Sequence, residues 1–177
     1  MRSLSSSLRR SLATASLLLA TGLTLCAAAP EKIDFQGLTF RKAFSDKNSE
    51  GPFSEYLPKG QTLEAWKKLM GYYEFTKLPD AKDAAQTLVE VLKSQNPDFP
   101  SDIIYNEATG EAVVDFVTWP KDESYVEFNV WKYQKNPKGG LIAIQYAERS
   151  SDIEPFFKKL KDHRIKVRDA MAALTLP

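Results

Sequence analysis

Two carboxylates, Asp115 and Glu127, are the residues whose spacing could support catalysis. Side chains alternate between the two faces of a strand, so Glu127 lies on the face opposite Val126 and Phe128 in the strand predicted over 125–133. The same alternation on neighbouring strands predicts a shared face of polar and aromatic side chains: Asp115, Tyr125, Glu127, Asn129, Trp131, Tyr133 and Gln145. Since glycosidases use two carboxylates about 5–10 Å apart, Asp115 and Glu127 leave a hydrolase acting on envelope glycan or peptide as the alternative function.

The same seven residues are open to two other interpretations. Aromatic rings beside polar groups also suit the binding of a sugar, a peptide or a protein partner. Antiparallel sheets, in turn, commonly expose one face that carries this mixture to solvent or to a covering loop. Cross-strand aromatic pairs on such a face stabilise the sheet by about 0.2–1 kcal/mol each. The sequence therefore predicts a polar aromatic face without fixing its use.

Other catalytic and metal-binding chemistries lack the residues that they need. His163 is the only histidine, so a zinc site of the common kinds lacks the further ligands that it needs. We interpret His163 as a residue at the margin of the core. The sequence contains no Asp-x-Asp-x-Asp-Gly loop for calcium and no glycine-rich phosphate loop. We therefore expect no metal, no cofactor and no enzymatic activity.

Residues 1–28 are typical of a secretory signal peptide. They contain three arginines, no acidic residue and an apolar stretch over 12–25, and the small residues that precede Pro30 suit cleavage after Ala28 or Ala29. The apolar stretch is shorter than the roughly 20 residues that span a bilayer. We expect a periplasmic or secreted protein with no transmembrane segment in the mature chain. Acylation of Cys26, giving a lipid anchor, and export by the twin-arginine route through Arg9 and Arg10 are less favoured alternatives.

The charge balance argues against a nucleic-acid partner. The chain has 24 basic and 23 acidic residues, and removal of the leader leaves 21 basic and 23 acidic, a net charge of −2. Nucleic acids are usually bound by clustered positive charge, which this balance does not suggest.

The remaining chain, 29–177, is predicted to be a single α+β domain. Its first half shows strands at 38–44 and 53–57, a short helix opened by Thr62, a short strand at 72–76 and a second helix that begins after Pro79 and ends before Pro97. After Pro100 the hydrophobic period becomes two, which predicts a meander of strands over 102–106, 111–119, 125–133 and 141–148. A long helix over 152–174 follows. Segregated strands and helices are typical of an α+β fold: an antiparallel sheet packed by two short helices and a long C-terminal helix.

The stretch from Glu55 to Trp66 resembles a group of small exported bacterial proteins of unknown function, in which a strand, a Pro-x-Gly turn and a helix bearing Trp follow one another. The segments 126–128 and 141–146 extend that resemblance. The order of elements is also loosely similar to PsbP-like domains, and that likeness implies a domain that binds partners without catalysis. We expect an exported, non-catalytic binding or interaction module of the bacterial envelope, whose partner is an envelope protein or a small ligand.

Overall fold

The computed structural model describes residues 29–176, so the predicted leader and Cys26 lie outside the described residues. That part of the chain contains eight strands and two helices, in the order of four strands, a helix, four strands and a second helix. The elements are β1 (Lys32–Phe35), β2 (Leu38–Lys47), β3 (Pro52–Pro58), β4 (Lys68–Phe75), α1 (Ala81–Gln95), β5 (Ser101–Asn106), β6 (Glu111–Thr118), β7 (Val126–Lys135), β8 (Leu141–Ser150) and α2 (Ile153–Ala173).

All eight strands form one antiparallel sheet in the order β1-β2-β3-β4-β8-β7-β6-β5. Each run of four is a meander, and the two meanders meet where β4 pairs with β8. Parallel strands would need long crossovers, whereas the short turns here favour antiparallel neighbours. The predicted α+β class, with a long C-terminal helix, is confirmed.

The two helices cover opposite faces of the sheet and bury two separate cores. On the face that we call the α2 face, α2 buries Val167 and Met171 against sheet residues that include Tyr146. On the α1 face, α1 places Ala85 and Leu92 over the β5–β8 half of the sheet. Because α1 is short and covers only that half, part of the α1 face is left without a helix above it.

The helix α1 begins at a side-chain cap. The carboxylate of Asp80 accepts hydrogen bonds from the backbone nitrogens of Lys82 at 2.8 Å and Asp83 at 3.1 Å. These bonds satisfy donors that have no partner inside the helix. The helix ends at Gln95, before Pro97, as predicted from the restriction that proline places on the residue ahead of it.

We expect Asp80→Ala to lower the free energy of unfolding by about 1 kcal/mol, because two backbone donors lose their acceptor. Chemical denaturation measures the loss. Asp152→Ala is the matched control, since Asp152 occupies the same position before α2 but makes no capping hydrogen bond with its side chain. We expect that control to change stability by less than about 0.5 kcal/mol, and equal losses in the two variants would contradict the capping role.

The prediction of a short helix that opens at Thr62 is wrong. Residues 63–65 form a turn, and β4 begins at Lys68. The backbone nitrogens of Lys67 and Lys68 donate to the side-chain oxygen of Gln61 at 2.5 and 3.0 Å. β4 lies between β3 and β8 and is buried on both faces at Leu69 and Met70. A strand buried on both faces reads as a continuous apolar run, which fits helical spacing equally well. The short strand β1 was not predicted.

No helix within 29–176 has the length and apolar character needed to cross a membrane.

Candidate binding site

The pairing of β6 with β7 separates the two predicted carboxylates. Asp115 pairs with Val130 and therefore lies on the α2 face, whereas Phe116 pairs with Asn129 on the α1 face. The prediction that Asp115 shares a face with Glu127 is wrong, and its neighbours Val114 and Phe116 pack under α1. β6 is buried on both faces, so hydrophobicity alone could not set the phase of its alternation.

Asp115 ties the sheet to α2. It is fully buried and accepts a hydrogen bond from Arg164, while Arg168 lies 3.6 Å from its second carboxylate oxygen. Burial raises the pKa of Asp115, and the two arginines act in the opposite direction. This contact explains how a carboxylate is held in the core and makes Asp115 a structural residue.

A cavity of about 340 Å³ lies on the α1 face, between the C-terminal end of α1, the loops at 97–100 and 119–125, and the sheet. Five of the seven predicted residues line it: Tyr125, Glu127, Asn129, Trp131 and Gln145. The helix α1, the loops and β6 add aromatic and apolar walls: Leu92, Phe99, Phe116, Trp119 and Pro120. Tyr133 shares this face but is buried in the α1 core. The cavity falls within the range of about 300–1,000 Å³ that is typical of small-molecule sites.

A chain of side-chain hydrogen bonds forms the polar floor of the cavity. Tyr73 donates to the carbonyl oxygen of Gln145 at 2.8 Å, and the Gln145 amide donates to Asn129 at 2.7 Å. The Asn129 amide donates to Glu127 at 3.0 Å, and Arg149 donates to the other oxygen of Glu127 at 3.0 and 3.2 Å. Every bond in the chain is directed toward Glu127, so the orientation of both amides is fixed before any ligand binds.

Arg149 is held at the rim of this network by two aromatic rings. Its guanidinium carbon lies 3.9 Å from the centroid of the Trp66 ring and 4.4 Å from that of Tyr125. A guanidinium between two ring faces gains cation–π attraction while it neutralises Glu127. The polar groups at the floor of the cavity are thus fixed and carry no unpaired charge.

The Tyr73 ring lies over Gly71 of the same strand, and Gly71 has no side chain that would displace the ring. A Cβ added at Gly71 would lie 2.5 Å from the Tyr73 ring. The ring also stacks on Trp131, with centroids 4.9 Å apart and planes 20° apart. Burial raises the pKa of the Tyr73 hydroxyl, with the carboxylates of Glu55 and Glu127 adding to the shift, so the hydroxyl remains protonated and donates to Gln145.

The sequence analysis missed the walls of the cavity, Trp119 among them, and three residues of the polar network and its rim: Trp66, Tyr73 and Arg149. Arg149 could have been found, because it lies four residues after Gln145 and therefore on the same face of β8, one residue beyond the predicted end of that strand. Tyr73 could be assigned to the site only from the pairing of β4 with β8. That pairing brings Tyr73 to Gln145, although the two residues are 72 positions apart in the sequence.

A second polar cluster lies on the α2 face around Glu148. This carboxylate is nearly fully buried and accepts hydrogen bonds from Tyr146, from Lys159 at 3.0 Å and from His163 at 2.9 Å, with Lys68 at 3.4 Å. The cluster joins β8 and β4 to α2. Among residues 29–176, no three or more His, Cys, Asp or Glu side chains are grouped so that they could hold a metal ion.

Comparison with known proteins gives a family and no curated relative. No curated protein matches the chain. The likeness to PsbP-like domains finds no support. The model of an uncharacterised protein family matches residues 27–176, which is most of the chain, and the protein therefore belongs to that family.

Proposed function

We propose that this protein is an exported, non-catalytic binding module of the bacterial envelope, with the cavity beside α1 as its ligand site. The observation that carries the proposal is the preorganised floor of the cavity, where Gln145, Asn129 and Glu127 are fixed in one directed chain of hydrogen bonds. Polar groups that are already oriented bind a ligand without a further ordering cost. Aromatic walls with a few convergent polar groups are typical of small-molecule sites.

The absence of catalysis is supported by the carboxylates around the cavity. Among its described lining residues, Glu127 is the only carboxylate, and Arg149 engages it. Asp115 lies on the opposite face of the sheet, so Asp115 and Glu127 do not flank a common cavity. Hydrolysis by a pair of carboxylates needs both beside one bond.

Export is supported by the pattern of the first 28 residues, which is typical of a secretory signal peptide. Expression of the full chain in a Gram-negative host, followed by fractionation and intact-mass measurement, tests it. We expect an envelope protein that begins at Ala29 or Pro30. A chain that begins at an acylated Cys26 would favour the lipid-anchored alternative, and an uncleaved chain in the cytoplasm would contradict export.

Fragment screening by NMR on the recovered protein tests the binding role. We expect fragments to shift a contiguous set of resonances that includes the indole of Trp131 and the side-chain amides of Asn129 and Gln145. Shifts scattered over the whole surface would contradict the proposal. A turnover of envelope glycan or peptide that is lost in Glu127→Gln, with an unchanged melting temperature, would replace it with a hydrolase.

A further inference from the structure

We propose that the cavity binds an uncharged saccharide unit, with Asn129, Gln145 and Trp131 contacting its hydroxyl groups. This inference rests on the proposed function, since it names the chemical class of the ligand for the same cavity. Four features of the cavity carry it: its charge, its hydrogen-bonding groups, its aromatic walls and its place in the sheet.

The charge of the cavity favours an uncharged ligand. Glu127 is the only ionisable acid or base among the lining residues apart from Tyr125, and its charge is already balanced by two hydrogen bonds from Arg149. An anionic ligand would face the Glu127 carboxylate. A cationic ligand would have to displace Arg149, which already fills the space between the rings of Trp66 and Tyr125. Arg149 therefore occupies the place that a cationic group of a ligand would take beside Glu127.

The hydrogen-bonding groups of the cavity match hydroxyls, which both donate and accept. The amides of Asn129 and Gln145 each use one N–H within the chain of hydrogen bonds and keep a second. The indole Nε1–H of Trp131 is buried and has no hydrogen-bond partner among the described residues. Buried donors without partners cost free energy, so a ligand oxygen that accepts from the Trp131 indole would remove that cost. Carboxylate and amide oxygens of the same floor accept from hydroxyl protons.

The aromatic walls of the cavity match the apolar faces of a sugar ring. Trp119, Trp131, Tyr125 and Phe99 present aromatic surface beside the polar floor, and a pyranose ring has apolar C–H faces beside its hydroxyls. The pairing of an apolar wall with a polar floor fits a ligand that is apolar on its faces and polar at its edge.

The place of the cavity in the sheet argues against recognition of an extended peptide. Peptides that bind to sheets commonly add a strand at an edge and pair through their backbone. The cavity lies over β6, β7 and β8, and the edge strands are β1 and β5. The backbone groups of β7 at the floor are already paired with β6 and β8, so they offer no free ladder to a peptide.

Tryptophan fluorescence is a direct readout for this site, because all three tryptophans of the sequence border it. Trp119 and Trp131 line the cavity, and Trp66 contacts Arg149 at its rim. We would titrate the protein recovered from the full-chain expression with uncharged oligosaccharides of glucose, of galactose and of N-acetylglucosamine. Choline and a short lysine peptide serve as cationic ligands, and a uronic-acid oligosaccharide serves as an anionic one. We expect at least one uncharged oligosaccharide to shift the fluorescence saturably and the charged ligands to bind at least tenfold more weakly.

Two glutamine variants form a matched pair. Gln145→Ala removes an amide from the cavity floor, whereas Gln134→Ala removes one from β7 on the α2 face, where Gln134 pairs with Ile142. We expect Gln145→Ala to weaken saccharide binding by about tenfold, the effect of losing one hydrogen bond and its orienting role, and Gln134→Ala to leave the affinity within twofold. Trp131→Phe keeps the aromatic wall and loses the indole donor, and we expect a loss of similar size.

The outcomes separate this inference from the proposed function. Uncharged fragments that are not sugars and that bind the same residues, with no response to any oligosaccharide, would overturn the saccharide inference and leave the binding role in place. Tighter binding of choline, the lysine peptide or the uronic-acid oligosaccharide would overturn it as well. If no fragment or oligosaccharide perturbs the cavity, both proposals fail.

Discussion

Replacing Glu148 with glutamine is expected to lower the free energy of unfolding by about 3 kcal/mol at pH 7. The Glu148 side chain is only 3% exposed and meets Tyr146, Lys159, His163 and Lys68. Burial acts to raise the pKa of Glu148, but the hydrogen bonds from Tyr146, Lys159 and His163, with the charge of Lys68, lower it to about 2. The folded protein therefore favours the ionised form of Glu148 over the protonated form more strongly than water does, and a neutral glutamine loses that interaction.

The same shift predicts how stability depends on pH. The pKa of Glu148 is about 2 in the folded protein and near the ordinary value of 4.5 in the unfolded chain. A lowered folded pKa contributes stability above the unfolded pKa, and that contribution is lost as the pH falls from about 4.5 to 2. Urea denaturation over this range should therefore show a steeper loss of stability for the natural protein than for Glu148→Gln, with the two curves converging near pH 2.

Glu31→Gln is the control for this experiment. Glu31 also pairs with a lysine, Lys42, at 2.6 Å, but its side chain is 87% exposed. Exposed ion pairs contribute little, so we expect this change to alter stability by less than about 0.5 kcal/mol at any pH in the range. A Glu148→Gln protein that unfolds like the Glu31→Gln control would show that the cluster at α2 is not a major source of stability.

The Glu148 cluster also shows what sequence reasoning could not reach. His163 was placed correctly at the margin of the core, as its half-buried side chain shows. Its carboxylate partner lies 15 residues earlier on another element, and nothing in the spacing points to it. Local periodicity places a residue on a face of its own element, but it does not determine which element lies opposite.

The fold was predictable where polar and apolar residues alternate clearly along an element. α1 and β7 were predicted within a few residues because their apolar positions follow a clear period. The prediction failed at β4 and in the phase of β6, and both of these strands are buried on two faces. Burial of both faces removes the polar and apolar alternation on which the prediction depends.

The candidate site was predictable for the same reason. Glu127, Asn129 and Trp131 alternate with Val126, Phe128 and Val130 along β7, and this alternation correctly grouped them with Gln145 on β8. The phase error in β6 added Asp115 to the group and with it the idea of a carboxylate pair. A single misplaced strand therefore changed the chemistry suggested by the sequence, while the candidate residues on β7 and β8 remained together.

Gly140→Ala is expected to lower the free energy of unfolding by about 3 kcal/mol, from two separate causes. Gly140 ends the turn between β7 and β8 with a φ of +77°, a conformation that costs other residues about 1–2 kcal/mol. An added Cβ would also lie 2.1 Å from the carbonyl oxygen of Phe75 and 3.0 Å from the Cα of Thr76. Both of these atoms belong to the backbone, so the end of β4 would have to move, at a further cost of about 1–3 kcal/mol.

Gly139→Ala separates the two causes because Gly139 lies in the same turn, also has a positive φ, and has open space where Gly140 meets β4. Gly139 has a φ of +99°, and an added Cβ would find no atom within 4 Å. We expect Gly139→Ala to cost only the conformational part, about 1–2 kcal/mol, so that the difference between the two variants measures the contact with β4. Equal losses would show that β4 yields freely to the turn. A larger loss in Gly140→Ala, together with altered fluorescence of Trp131, would show that the position of β4 also holds Tyr73 against the cavity.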